Sequence, residues 1–204
     1  GYSLSLSQSD KLYLLVGAYQ HDQRKGAAYL FAKNLSYNTF SEDTSIQNTP
    51  NLLKRVRAAD YTINKVEDKK LHLTGSLNSN DWVQIHKFQP SELSDGDNFG
   101  YSVSIDEDNL IIGSPMAYGN TMQSGAAYHF EKDVTGNWLQ KNKLFNDNSD
   151  RHDKYGIHVG ISSSNIFIGS THHDYGFDKN PGKIFSYRYL NNELNEKNQF
   201  LSLN

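Results

Sequence analysis

The sequence predicts an all-β fold built from repeated four-stranded antiparallel units, and three observations predict it. First, one block is written twice, about 56 residues apart. Phe99-Gly100-Tyr101-Ser102-Val103-Ser104-Ile105, then Asn109-Leu110-Ile111-Ile112-Gly113-Ser114-Pro115, then Gly125-Ala126-Ala127-Tyr128-His129-Phe130 recur in order. The second writing is Tyr155-Gly156, Ile166-Phe167-Ile168-Gly169-Ser170-Thr171 and Gly182-Lys183-Ile184-Phe185-Ser186-Tyr187. Second, the spacing is kept: Gly100 to Gly113 is 13 residues, and so is Gly156 to Gly169. Third, each block divides into short runs of β-branched, aromatic or leucine residues alternating with polar ones. Turn formers such as Asp106-Glu107-Asp108-Asn109, Thr135-Gly136-Asn137 and Ser162-Ser163-Ser164-Asn165 separate the runs.

The elements follow in order. The N-terminus carries a further copy: Gly1 to Leu6 matches Gly100 to Ile105, Leu14 to Tyr19 matches the strand ending at Gly113, and Gly26 to Phe31 matches Gly125 to Phe130. The next unit has lost most landmarks. Its last strand, Asp81 to Phe88, lines up with Asn137 to Leu144, and Trp82 to Gly100 and Trp138 to Gly156 are both 18 residues. Upstream, Tyr61 to Val66 and Leu71 to Leu73 alternate as two strands joined by a turn at Glu67-Asp68-Lys69. Asn51 to Val56 and Phe40 to Ile46 compete for its first strand. The third unit is the complete block from Phe99, and the fourth runs from Tyr155 to a tail, Leu194 to Leu201, in the place of the Trp138 strand.

Four antiparallel strands in sequence order make a meander, and meanders repeated in this way predict a β-propeller of four-stranded blades. A long β-sandwich would also give short strands and polar turns, but not this glycine and tyrosine pattern at fixed offsets. About four blades are expected, at 1–45, 46–98, 99–154 and 155–204, within a single propeller domain spanning 1–204. A blade buries its faces only against neighbours. The expectation is therefore a small four-bladed ring, with part of a larger propeller as the alternative.

These residues resemble the FG-GAP repeat, the blade unit of integrin α-chain-like propellers and of many bacterial surface proteins. Phe99-Gly100 stands as the "FG", with Tyr155-Gly156 a conservative version. Val16-Gly17-Ala18-Tyr19, Gly113-Ser114-Pro115 and Gly169-Ser170-Thr171 stand where "GAP" stands, and Trp138 to Leu144 looks like the bacterial branch. The resemblance implies the propeller, and it leaves the role open because one fold serves many functions.

Composition narrows the classes. The chain of 204 residues has formal net charge −3 and no cysteine. No basic stripe is interleaved with aromatics, so nucleic acid is not an expected partner. No run of 18 apolar residues exists, so no membrane-spanning helix is expected. The absence of cysteine excludes a disulfide scaffold. The Asn-, Ser-, Asp- and Tyr-rich surface suits an extracellular or cell-surface protein.

In a meander propeller the loops joining strands 2 to 3 and 4 to 1 share one face. Here those loops are long and varied, while the opposite face carries tight turns, which marks the first face as a binding surface. Its candidate ligand-binding residues are Tyr19, His21, Asp22, Tyr118, Asn120, His172, His173, Asp174 and Tyr175. Aromatic faces and neutral hydrogen-bonding groups favour a glycan ligand. An extracellular protein ligand is the alternative, with an integrin-like adhesion role and association of copies of the chain left open. Adjacent His172 and His173 point apart on an extended chain and lack a third ligand for zinc. Calcium is the metal left open. The 1-to-2 turns lack spaced oxygen ligands, and the better oxygen clusters are Asp95 and Asp97, and Asp147, Asp150 and Asp153, which would alternatively order the chain entering the next blade. No cofactor is expected. No Gly-x-Ser-x-Gly, His-Glu-x-x-His, phosphate loop or cysteine nucleophile is present, so an enzyme is not expected.

Overall fold

Alternating runs this short cannot bury one face alone, so the strands assemble into sheets that cover one another. The computed structural model describes residues 1–9, 11–33, 62–67, 70–74, 82–171, 182–190 and 193–201. The strands are β1 (Ser3–Gln8), β2 (Leu12–Ala18), β3 (Ala27–Lys33), β4 (Thr62–Glu67), β5 (Lys70–Thr74), β6 (Val83–Phe88) and β7 (Ser102–Asp106). They continue as β8 (Asn109–Ser114), β9 (Ala126–Lys132), β10 (Trp138–Leu144), β11 (His158–Ser162), β12 (Asn165–Ser170), β13 (Lys183–Leu190) and β14 (Glu193–Leu201). One short helical segment, α1 (His21–Arg24), follows β2. Asp22, Gln23 and Arg24 there have positive φ, so it is a tight turn of the 2-to-3 loop rather than a regular helix.

Three four-stranded antiparallel sheets result, in the orders β1-β2-β3-β6, β7-β8-β9-β10 and β11-β12-β13-β14, and β4 pairs with β5. The chain is all-β, and the last two sheets are the expected meanders. The first groups one strand differently from the expectation. Val83–Phe88 is the fourth strand of the first sheet, pairing with β3 through Ala28↔Phe88 and Tyr29↔Lys87. The strand expected as the fourth of the unit 46–98 is thus the outer strand of the first sheet, paired with β3. The physical reason is that β3 needs a partner at its open edge, and a long connection adds little closure entropy over a short one. The expected hairpin is present as β4 and β5, while the competing first strands, Phe40 to Ile46 and Asn51 to Val56, lie outside the described residues.

The fourth strands share a further detail. Each pairs with its neighbour through a one-residue irregularity three residues after the Trp82 or Trp138 position: at Ile85 in β6, at Lys141 in β10 and between Asn195 and Lys197 in β14. A bulge bends an outer strand and increases its twist. Before the bulge, ordinary alternation leaves Leu139 exposed while Trp138 is buried.

The sheets meet through their first strands, β1 beside β7 and β7 beside β11. One face of the first sheet (Tyr13, Leu15, Ala28, Leu30, Phe88) forms a core with Val103, Ile105, Leu110, Ile112, Tyr128 and Phe130 of the second. The other face of the second sheet (Ile111, Ala127, Leu144) forms a core with Ile161, Ile166, Ile168, Phe185 and Tyr187 of the third. Phe99 plugs the first joint against Tyr128, ring centroids 5.2 Å apart, and Tyr155 plugs the second against Phe185 at 5.0 Å. The second plug adds a buried hydroxyl pair, Tyr155 to Tyr187 at 2.6 Å.

Between first strands the contact is polar and repeated. Ser3 Oγ donates to the Gly100 carbonyl (3.1 Å), and Ser5 and Ser7 Oγ accept from the Ile105 and Glu107 amides (3.1 and 2.9 Å). At the next joint Ser102 Oγ donates to the Gly156 carbonyl (2.9 Å), Ser104 Oγ accepts from the Ile161 amide (3.1 Å) and Asp106 Oδ2 accepts from the Ser163 amide (2.5 Å). Glycine makes this approach possible. A Cβ on Gly17 would strike the Gly100 carbonyl, and one on Gly113 the Gly156 carbonyl. Gly26 and Gly125, both at positive φ, bridge in parallel to Phe99 and Tyr155.

His129 is fully buried in the second sheet, its ring nitrogens 3.3 Å from Asn142 Oδ1 and 3.0 Å from Asn109 Oδ1. Desolvation pushes its pKa below the ordinary 6.5, and burial beside Phe88 does the same to His86.

Two predictions come from this architecture. Gly113→Ala forces the Gly156 backbone away and lowers unfolding free energy by about 3 kcal/mol, the upper end of overpacking costs; urea denaturation reads it, and a loss below a tenth of that would contradict the close approach. The second concerns pH. With folded pKa values depressed, the unfolded chain binds more protons at His129 and His86, so their contribution is intact above 6.5 and is lost as pH falls through the lowered values. Thermal melts between neutral and mildly acidic pH should show falling stability, and His129→Gln should flatten the slope.

Candidate functional site

The 4-to-1 and 2-to-3 loops are locked together, which places them on one face as the sequence predicts. Gly96, Asn98 and Phe99 amides donate to the carbonyls of Gln23 (3.2 Å), Arg24 (2.8 Å) and Lys25 (3.1 Å). At the next joint the His152 and Tyr155 amides donate to the carbonyls of Gln123 (3.0 Å) and Ser124 (2.9 Å). The loops are thus a rigid rim rather than free connections.

At the start of the first strands this rim holds three tyrosines. Tyr2, Tyr19 and Tyr101 pack mutually, with ring centroids 4.7 Å (Tyr2–Tyr19), 4.9 Å (Tyr2–Tyr101) and 5.2 Å (Tyr19–Tyr101) apart. The Tyr2 hydroxyl donates to that of Tyr101 at 3.2 Å, and this bond, with partial burial, raises the Tyr101 pKa. Beside them an open groove of about 360 Å³ runs across the starts of β1, β7 and β11, lined by Tyr2, Tyr101, Ser102, Ile157 and His158 among others. Tyr2, Tyr101 and Ile157 occupy the same position in the three repeats, directly after Gly1, Gly100 and Gly156.

Of the residues expected from sequence, Tyr19 is part of this cluster. His21 and Asp22 are exposed on α1 a few residues on. His21 Nδ1 lies 3.5 Å from the Tyr29 hydroxyl and Nε2 3.2 Å from Lys87 Nζ, while Asp22 pairs with Lys25 at 3.6 Å. Tyr118 and Asn120 are exposed in the second 2-to-3 loop, Tyr118 at 63%. His172, His173, Asp174 and Tyr175 lie outside the described residues. Tyr2 and Tyr101 were missed because Gly-Tyr-Ser reads as the opening of a strand face. The signal was their recurrence at the end of the strand where the loops gather.

The aspartates considered for calcium have local partners. Asp97 Oδ2 accepts from the Ser94 amide and Asp153 Oδ2 from the Asp150 amide, both at 2.9 Å. Their carbonyls accept from Ser114 Oγ (2.8 Å) and Ser170 Oγ (2.6 Å). Both are buried and do the same work in the two repeats, closing the turn that delivers Phe99-Gly100 or Tyr155-Gly156. Asp95 lies 3.7 Å from Lys25 Nζ. Among the described residues no three acidic or histidine side chains converge in a metal-binding group. Desolvation raises the Asp97 pKa above its ordinary 3.8.

Residues 82–130 match the family model of the FG-GAP repeat. The match starts on the outer strand of the first sheet and ends on the third strand of the second, so it encloses the first joint with Phe88, Phe99 and Phe130. Such a match points to an integrin-like protein–protein interaction module. No curated protein matches the chain. Among the described residues no helix is long and apolar enough to cross a membrane.

The turn-closing role predicts that Asp97→Asn, which keeps an acceptor for the Ser94 amide without a buried charge, leaves the melting temperature unchanged or raises it at neutral pH. Asp97→Ala orphans that amide and should cost about 1 kcal/mol, as lost side-chain caps do. Native Asp97 holds its proton more tightly than the unfolded chain, so its own contribution shrinks as pH rises above 3.8. Thermal melts of the two variants check the order; equal losses would contradict it.

Proposed function

We propose that this chain is a non-enzymatic extracellular recognition module that binds a glycan at the tyrosine-lined end of its loop-rich face. The observation that carries the reading is the Tyr2, Tyr19 and Tyr101 cluster beside the open groove. Tyrosine presents a flat apolar face and a hydroxyl on one stiff side chain, which suits a ring that is apolar on one side and hydroxylated at its edge. Ser3, Ser102 and His158 add hydrogen-bonding groups to the same groove. Locked loops favour binding because little conformational entropy remains to be lost. Exposed Tyr118 extends the surface toward the second 2-to-3 loop.

A protein ligand is the second reading, and the FG-GAP match favours it, since that repeat belongs to integrin-like interaction modules. One experiment separates the two. The chain is applied to a glycan array, with Tyr101→Ala and Tyr118→Ala beside it. The expected result is binding to a defined sugar class, weakened about tenfold by Tyr101→Ala, which corresponds to about 1.4 kcal/mol. Silence across the array would remove the glycan reading and leave the protein ligand, to be sought by capture with the same tyrosine variants as controls.

A further inference from the structure

The two internal joints follow one rule, and parts of each half of it recur unused on the β1 face and on the third sheet. In both joints the later sheet contributes the same positions: Val103 and Ile105 to the first, Val159 and Ile161 to the second. The matching residues of the first sheet are Leu4 and Leu6, and they are 68% and 59% exposed, against 8% and 4% for Val103 and Ile105. The edge of β1 is equally unused: the Ile105 and Ile161 amides each meet a serine, but among the described residues no side chain meets the Leu6 amide.

The third sheet presents the other half. Its outer face carries Phe167 and Ile184, 45% and 51% exposed, where the earlier sheets carry the fully buried pairs Leu15 and Ala28, and Ile111 and Ala127. The glycine seat is kept as well. Gly17 and Gly113 make room for the carbonyls of Gly100 and Gly156, whereas a Cβ on Gly169 would meet nothing closer than its own neighbour His158 at 3.4 Å. Gly182 retains the positive φ of Gly26 and Gly125, and no backbone of a following sheet approaches it among the described residues.

We propose that copies of this chain associate head to tail, the β1 face of one copy seating on the outer face of the third sheet of another. A second copy is the occupant because it offers to each open face the branched strand face or the glycine seat that the chain already places there twice. Gly1 of the incoming copy stands where Gly100 and Gly156 stand at the internal joints, facing Gly169, and His158 takes the place of Ser3 and Ser102 as donor to its carbonyl. Phe167 fills what Gly160 leaves open where Ser5 and Ser104 stood. Such an interface is heterologous: it makes a ring if the rotation closes and a filament if it does not.

The test uses the 204-residue chain in sedimentation equilibrium across the micromolar range, with Leu4→Asp/Leu6→Asp and Gly169→Val. Both changes fall on open positions, and circular dichroism verifies that each variant is folded. The expected result is association of the parent chain, a monomer for each variant alone, and renewed association when the two variants are mixed, because one intact face of each kind is then present. A parent chain that stays monomeric throughout overturns the proposal. So does association that survives both variants, or a mixture that stays monomeric when each variant alone has lost assembly.

Discussion

The approach of one glycine backbone to another across each joint is the constraint on which the rest depends. Gly100 sits over Gly17 and Gly156 over Gly113 so closely that a methyl group would not fit. That approach brings first strands near enough for single serine hydroxyls to reach main-chain groups of the next sheet. Each such bond is modest, about 1 kcal/mol, but the set fixes register along the strand. With register set, the branched side chains of one sheet fall between the aromatic and aliphatic side chains of its neighbour. The same approach delivers Phe99 and Tyr155 to the joint as plugs.

The loop-rich face inherits its order from this arrangement. Asp97 and Asp153 close the turns that carry the plug residues, and the turns are bonded in turn to the 2-to-3 loops. The tyrosine cluster stands at the point where two first strands enter adjacent sheets, so its geometry is set by the joint rather than by loop sequence. Tyr2 and Tyr101 are held by the residues before them, Gly1 and Gly100, and Tyr19 follows the glycine that receives Gly100. Recognition chemistry and scaffold therefore share residues, and a change at Gly17 would disturb both.

Much of the fold was legible because glycine at fixed offsets reports close approach, which no other residue can provide. The second and third sheets follow the sequence strand by strand, including β14 in the place of the Trp138 strand. One strand of the first sheet was grouped differently for an equally physical reason. The 18-residue spacing from Trp82 to Gly100 records the loop between an outer strand and the next inner one, and it says nothing about which strand the outer one pairs with. β6 pairs with a strand that ends at Lys33, and alternation carries no code for that separation. The aspartates showed a repeated pattern whose meaning was undecided between ligand and turn until their main-chain partners were placed. The serines of Ser3-Leu4-Ser5 and Ser102-Val103-Ser104 were read as the polar half of an alternating strand, although they make the contacts between sheets.

The segment that matches the FG-GAP repeat is out of phase with the sheets: it opens on β6 and closes on β9. The matched segment is therefore a hinge pin with its two leaves, not a leaf. Tandem copying of such a piece lengthens an array by inserting an already fitted junction, so a duplicated gene segment yields a workable product at once and diverges afterwards. The connection from Lys33 to Val83 accordingly joins two strands at the outer margin of one leaf, away from the pin.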